Sequence, residues 1–144
     1  MQYERERALV VDFLDAIESG YRTPWSIQAI VQEYNYNRGR TDVIALTDEG
    51  ELLAFEAKLT RWRNAMHQAY RNRCFAHRSY VLLPREVAEQ AVHHASEFAR
   101  RSIGVCTIIN GSISVLIDAC WEAPVQAVME EKVREALRKA GAYE

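Results

Sequence analysis

The stretch from Thr41 to Lys58 constrains this chain more than any other, because it sets both a hairpin and what that hairpin displays. It reads Thr41-Asp42-Val43-Ile44-Ala45-Leu46-Thr47, then Asp48-Glu49-Gly50, then Glu51-Leu52-Leu53-Ala54-Phe55-Glu56-Ala57-Lys58. Two runs of β-favouring residues around a short acidic turn with a glycine predict an antiparallel pair. With Asp48-Glu49-Gly50 as a three-residue loop, Thr47 faces Glu51 and Asp42 lands opposite Glu56, their Cβ atoms roughly 5 Å apart on one face. Lys58 follows Glu56 by two residues, so strand alternation puts it on that face too. Two carboxylates and an ammonium on one patch of sheet are equipment for holding a divalent cation and activating a water.

Around this hairpin the hydrophobic periodicity predicts alternating elements. Leu9, Val10, Phe13, Leu14 and Ile17 have helical spacing that stops at Gly20. An extended stretch follows from Trp25 to Tyr36. A second helix is expected from about Arg61 to about His77, capped by Thr60, with Trp62, Ala65, Met66 and Ala69 inward. Ser79 to Pro84 has the continuous apolar profile of a central strand. A third helix is expected from about Glu86 to Arg101 with Val87, Ala91, Ala95 and Phe98 inward, then two strands, Gly104 to Ile109 and Ser112 to Ile117, joined at Asn110-Gly111. An amphipathic helix from about Pro124 to Ala140, halted at Gly141, closes the pattern. The expectation is α/β: a mixed central sheet flanked by helices, with 144 residues forming one domain, 1–144.

Composition excludes several classes. No apolar run approaches the roughly 20 residues of a membrane-spanning helix, and the charged start Met1-Gln2-Tyr3-Glu4-Arg5-Glu6-Arg7 is unlike a signal peptide. Three cysteines, Cys74, Cys106 and Cys120, without CxxC spacing, argue against a disulfide framework or structural zinc and fit a cytoplasmic protein. The net charge of −2 is nearly neutral, yet Ala57 to Arg85 contains no Asp or Glu while carrying Lys58, Arg61, Arg63, Arg71, Arg73, Arg78 and Arg85. On the second helix Arg61, Asn64, Gln68 and Arg71 fall within an arc of roughly 80°, next to the apolar face. Arginines so placed suit phosphate oxygens, which their planar forks can bind in two places at once.

These residues resemble the PD-(D/E)XK nuclease superfamily, the restriction-endonuclease-like fold. Its acidic residue on one strand and acidic-X-Lys on the next match Asp42 and Glu56-Ala57-Lys58, with Thr41 standing where the motif has proline. Its Gln, often followed by Tyr, on the next helix matches Gln68-Ala69-Tyr70. The resemblance covers roughly residues 5 to 117 and implies an αβββαβ core, here extended by a β-hairpin and a C-terminal helix. It implies a metal-dependent nuclease hydrolysing phosphodiester bonds in DNA, with RNA left open. Asp42, Glu56 and the Ala57 carbonyl would hold Mg²⁺ or Mn²⁺, since hard oxygen donors suit those ions. Lys58 and Gln68 would serve catalysis, either Glu18 or Glu33 would supply a further acidic ligand, and Arg40, Arg61, Arg63, Asn64, Arg71 and Arg73 would meet nucleic acid. The alternative is a catalytically silent module of the same fold, binding nucleic acid or a partner protein in a DNA-processing complex.

Other residues point less strongly to chemistry. Glu89, His93 and Glu97 recur every four residues, a spacing better explained by surface charge pairing than by metal binding. His67 and His77 read as solvated, Cys106 as core, and Trp121 and Tyr143 as packing residues. On the terminal helix Val125, Val128, Met129, Val133 and Leu137 read as core, with a homodimer face as the other use of that edge.

Overall fold

Leu9, Val10, Phe13, Ala16 and Ile17 recur at helical spacing and are all buried along one stripe of α1 (Glu6–Ser19). The structure, a computed structural model, describes residues 3–37 and 39–140. After α1 come β1 (Ile27–Tyr36), β2 (Gly39–Thr47), β3 (Leu52–Ala57), α2 (Trp62–Arg71), β4 (Arg78–Leu82), α3 (Arg85–Val92), α4 (Ala95–Arg101), β5 (Ile103–Ile109), β6 (Ser112–Ile117) and α5 (Ala127–Lys139). The order contains the expected αβββαβ core and then the extra hairpin and terminal helix.

The six strands form one mixed sheet in the order β1-β2-β3-β4-β5-β6. The pairs β1–β2, β2–β3 and β5–β6 are antiparallel; β3–β4 and β4–β5 are parallel, bridged by α2 and by α3 with α4. Every residue of β3 is buried, because both faces of this strand are covered. Leu53, Phe55 and Ala57 point into the α1 side, where Phe55 lies between Phe13, at a ring-centroid distance of 4.7 Å, and Tyr80, at 5.4 Å. Leu52 and Ala54 point to the opposite side, against Met129, Val133 and Leu137 of α5. On that same side α2 lays Ala65, Met66 and Ala69 against Val81 of β4.

Both hairpins have the expected registers. Leu46 pairs with Leu52 and Val43 with Phe55, leaving 48–50 as the loop. Asn110 and Gly111 both have positive φ, 51° and 78°, as a type I′ turn requires.

Five expectations need correction. His77 is not solvated: its side chain is 11% exposed, and its Nδ1 accepts from Leu52 N–H at 2.9 Å. The second helix does not reach His77: α2 ends at Arg71 and tightens into a 3₁₀ turn, Asn72–Cys74. Thr60 is not its cap, because Arg61 occupies that position and no side chain caps the helix. The third helix breaks at His93 and His94, whose N–H groups bond back only three residues, to Gln90 and Ala91. There the His94 ring packs 4.8 Å from Trp62, and the break leaves Ala95 exposed. Val125 and Val128 are not core: they are 71% and 69% exposed, since α5 turns only Met129, Val133 and Leu137 inward. The Gly141 stop and Tyr143 lie outside the described residues.

Candidate nuclease site

The β2–β3 ladder ends at Val43 and Phe55, one position short of the Asp42–Glu56 pair. There the strands part, and the Asp42 side chain takes over where backbone pairing stops: Ala57 N–H donates to Asp42 Oδ2 at 2.8 Å. Glu56, in register opposite Asp42, is 2% exposed. Its Oε2 accepts a hydrogen bond from Asn72 Nδ2 at 2.7 Å, and Glu56 shares a further bond with the Asp42 carboxyl.

Asn72 is itself locked in place. Its Oδ1 accepts from Tyr36 Oη at 2.7 Å and from Thr41 Oγ1 at 2.8 Å. Two hydroxyl donors on one end of the amide fix that end as oxygen and the other as the nitrogen facing Glu56. Thr41 and Asn72 are almost wholly buried, so Glu56 is positioned by a polar network closed off from water.

Burial pushes the Glu56 carboxyl up to about 8, against the Asn72 hydrogen bond and the Arg71 charge, which lower it, while the neighbouring Asp42 raises it further. A carboxyl in this state holds a proton near neutrality and gives it up when a cation arrives. Tyr36 is also pushed up, to about 12, chiefly by burial.

A cleft of about 150 Å³ opens beside Asp42 and Ala57, lined also by Glu6, Arg7, Val10, Glu33 and Arg40. Glu33 sits in β1 between Gln32, paired with Val43, and Tyr34, paired with Thr41, so its position is beside Asp42. Glu33, Asp42 and Glu56 thus occupy neighbouring positions across three strands. Glu33 has φ of 52°, a left-handed conformation rare for a residue with a Cβ and found where surrounding structure imposes it. Its carboxylate pairs with Arg40 at 3.3 Å, and among the described residues no three His, Cys, Asp or Glu side chains are gathered tightly enough to hold a metal. Glu18, the other candidate acid, is elsewhere: it lines a separate cleft of about 710 Å³ with Leu14, Trp25 and Asp48.

Lys58 follows β3 directly. Its N–H donates to Leu82 O at 3.2 Å, carrying the parallel pairing with β4 one residue further, and its side chain is half-buried. No ion pair joins it to Glu56 among the described residues. Gln68 is half-buried on α2, while the residue that reaches Glu56 is Asn72, one turn further along the same stripe. The stripe of Arg61, Asn64, Gln68 and Arg71 continues to Asn72, one step beyond the arc expected from the sequence. Thr41 and Tyr36, which hold Asn72, and Glu6, which lines the cleft, carry no motif that marks them in the sequence.

The arginines are unequally available. Arg71 acts on Glu56, and its guanidinium lies 3.5 Å from where a Gly39 Cβ would stand. Arg63 is paired with Glu97 and stacked over Trp62, Arg73 lies 3.8 Å from Glu122, and Arg40 is held by Glu33. Arg61 and Asn64 are exposed at the start of α2. Glu97 pairs with His94 and Arg63, and Glu89 with Arg85, so both glutamates are engaged in surface charge pairs with residues other than His93.

No family model matches the chain, and no curated protein matches its sequence. Among solved structures it is similar to SPO1766, a protein of unknown function from Silicibacter pomeroyi, with a TM-score of 0.59 and 16% identity over 97% of this chain and 85% of that one. A repair endonuclease from Pyrococcus abyssi aligns with a TM-score of 0.42 and 15% identity, over 66% of this chain and 46% of that one. Pyrococcus furiosus SfsA, in complex with Ca²⁺, aligns at 0.41 and 9%, over 80% and 62%. The likeness to SPO1766 is one of fold.

Proposed function

We propose that this chain is a Mg²⁺- or Mn²⁺-dependent nuclease of PD-(D/E)XK type, acting as a single domain on phosphodiester bonds in DNA. One observation carries the reading: Asp42 and the buried Glu56 meet where β2 and β3 part, with Lys58 two residues beyond Glu56. The donor set fits a hard cation. Asp42 Oδ2 and Glu56 Oε2 are anchored by Ala57 and Asn72, and the bond Glu56 shares with the Asp42 carboxyl would open as a metal displaces its proton, freeing an oxygen on each carboxyl for the ion. The Ala57 carbonyl suits a third ligand, since an extended residue directs its C=O to the side of its N–H, here towards Asp42.

A bound ion would lower the pKa of a coordinated water and offset charge on the phosphorane-like transition state. Asp42 and Glu56 would orient that ion, and Lys58 would steady the attacking water or the developing negative charge. Gln68 would support the scissile group from α2. Glu33, beside Asp42, is the better candidate than Glu18 for an outer acidic ligand, once released from Arg40. Arg61 and Arg71 would meet flanking phosphates.

A second reading, a catalytically silent nucleic-acid-binding or partner-binding module, is favoured by one feature: Glu33 is paired with Arg40, and among the described residues no third acid joins Asp42 and Glu56. Plasmid, linear, single-stranded and branched DNA incubated with Mg²⁺, Mn²⁺ or EDTA, beside Glu56→Ala and Lys58→Ala, separates the two. Metal-dependent cutting lost in both variants is the expected result. Binding without cutting by folded wild type on every substrate would transfer the assignment to the silent module.

A further inference from the structure

Beyond the carboxylates, α2 ends in a surface where the nuclease reading gives roles to arginines but none to Tyr70 or Val125. Tyr70 is 47% exposed, the Arg73 guanidinium lies 5.1 Å from its ring centroid, and Arg71, Arg73, Cys74 and Val125 join it around a cleft of about 190 Å³. That volume exceeds by several times the roughly 30 Å³ share of one water. The apolar wall is supplied by the segment after β6, which runs alongside the 3₁₀ turn. Glu122 N–H donates to His77 O, Val125 N–H to Arg73 O and Gln126 N–H to Cys74 O. The same segment leaves Trp121 half exposed, stacked 5.6 Å from His77. An aromatic face and an aliphatic wall therefore border two guanidinium groups.

We propose that this cleft seats one unpaired base of a single-stranded nucleic acid, stacked on Tyr70 against Val125, with its phosphates on Arg71 and Arg73. The proposal rests on the nuclease reading and narrows its substrate to a strand with at least one splayed nucleotide. Three observations select a nucleotide over an apolar protein segment. The chain from Ala57 to Arg85, which forms most of the cleft, contains no acidic residue. Arg71 lines the cleft and immediately precedes Asn72, whose amide reaches Glu56 Oε2 at 2.7 Å, so a strand seated here continues towards the carboxylate pair. The Arg73 Nε is buried without a hydrogen-bond partner among the described residues, and its Nη2 lies 3.8 Å from Glu122, a loose pairing that a phosphate oxygen improves on.

The test is fluorescence anisotropy of the full chain in EDTA with labelled oligothymidine, the same strand carrying one abasic position, and a duplex, comparing wild type with Tyr70→Ala and Tyr70→Phe. Base stacking on one aromatic ring predicts about tenfold or greater weakening for single strands in Tyr70→Ala. Tyr70→Phe should bind like wild type, and duplex binding should change little. Removing one base should weaken wild type but leave Tyr70→Ala nearly indifferent, because the two deletions remove one contact. Equal single-strand affinity in wild type and Tyr70→Ala, or abasic losses of the same size in both, overturns the base site while leaving metal-dependent cleavage intact. A wild type that binds and cuts no DNA overturns the base site and the nuclease reading together.

Discussion

Asn72 donates its side-chain amide to Glu56 Oε2 at 2.7 Å while its own oxygen accepts from Tyr36 and Thr41. The position of the buried carboxylate is therefore set from the end of α2 and from two strands at once. Asn72→Ala would strand the Glu56 oxygen and two hydroxyls in a closed environment. Each buried unsatisfied group costs about 1–3 kcal/mol, so the variant should lose several times the stability lost by Tyr36→Phe, which deletes one donor. Urea unfolding of both variants beside wild type measures the difference; equal losses would show that the network does not converge on Asn72.

Glu56 gives a pH dependence of defined sign. Its ordinary value is 4.5 and the folded protein raises it to about 8, so between those values the folded state holds a proton that the unfolded state has released. Stability from this group is full below about 4.5 and falls as pH rises through 8, by a few kcal/mol at roughly 1.4 kcal/mol per unit. The Tm of metal-free wild type should drop between pH 5 and 8.5 by more than that of Glu56→Gln. Parallel curves would remove Glu56 as the source.

Metal binding should act against the same penalty. Mg²⁺ or Mn²⁺ is expected to raise the Tm of wild type at pH 8, growing with the logarithm of the excess of ion over its dissociation constant, and to leave Asp42→Ala and Glu56→Gln unmoved. Thermal scans with and without the ion suffice, and an identical shift in all three proteins would place the cation elsewhere.

A packing prediction concerns the other face of the sheet. A Cβ on Gly104 would stand 2.6 Å from the Tyr80 ring and 2.7 Å from the Ala119 backbone nitrogen. Tyr80 cannot swing aside freely, being stacked on Phe55 and hydrogen-bonded from its Oη to Asp118 at 2.6 Å. Gly104→Ala should cost about 1–3 kcal/mol as an overpacked core position, read as a lower urea midpoint with an unchanged slope. An unaltered midpoint would mean that β5 shifts without resistance.

The hairpin from Thr41 to Lys58 was legible because both of its determinants are local. The acidic glycine turn sets loop length, and alternation sets facing, so the register placing Asp42 opposite Glu56 followed from residue order. Asn110-Gly111 was legible for the same reason. Helix ends were less so. Arg71 ends α2 because the chain tightens to bring Asn72 under β3, and His93 and His94 break the third helix where Trp62 packs on the His94 ring. Neither cause lies in the nearby sequence.

The sequence by itself determined the order of elements, the strand register and the identity of the carboxylate pair, since these depend on periodicity and turn chemistry over a few residues. Tertiary structure alone decided that Asn72 rather than Gln68 reaches Glu56, that Glu33 and not Glu18 stands near Asp42, and that Arg63 and Arg40 are already paired. It also decided that the Glu56 carboxyl is pushed up, because that depends on burial and on the neighbouring Asp42 charge. Such contacts join residues far apart in the chain, and which of several similar side chains makes them is fixed only when the sheet and helices pack.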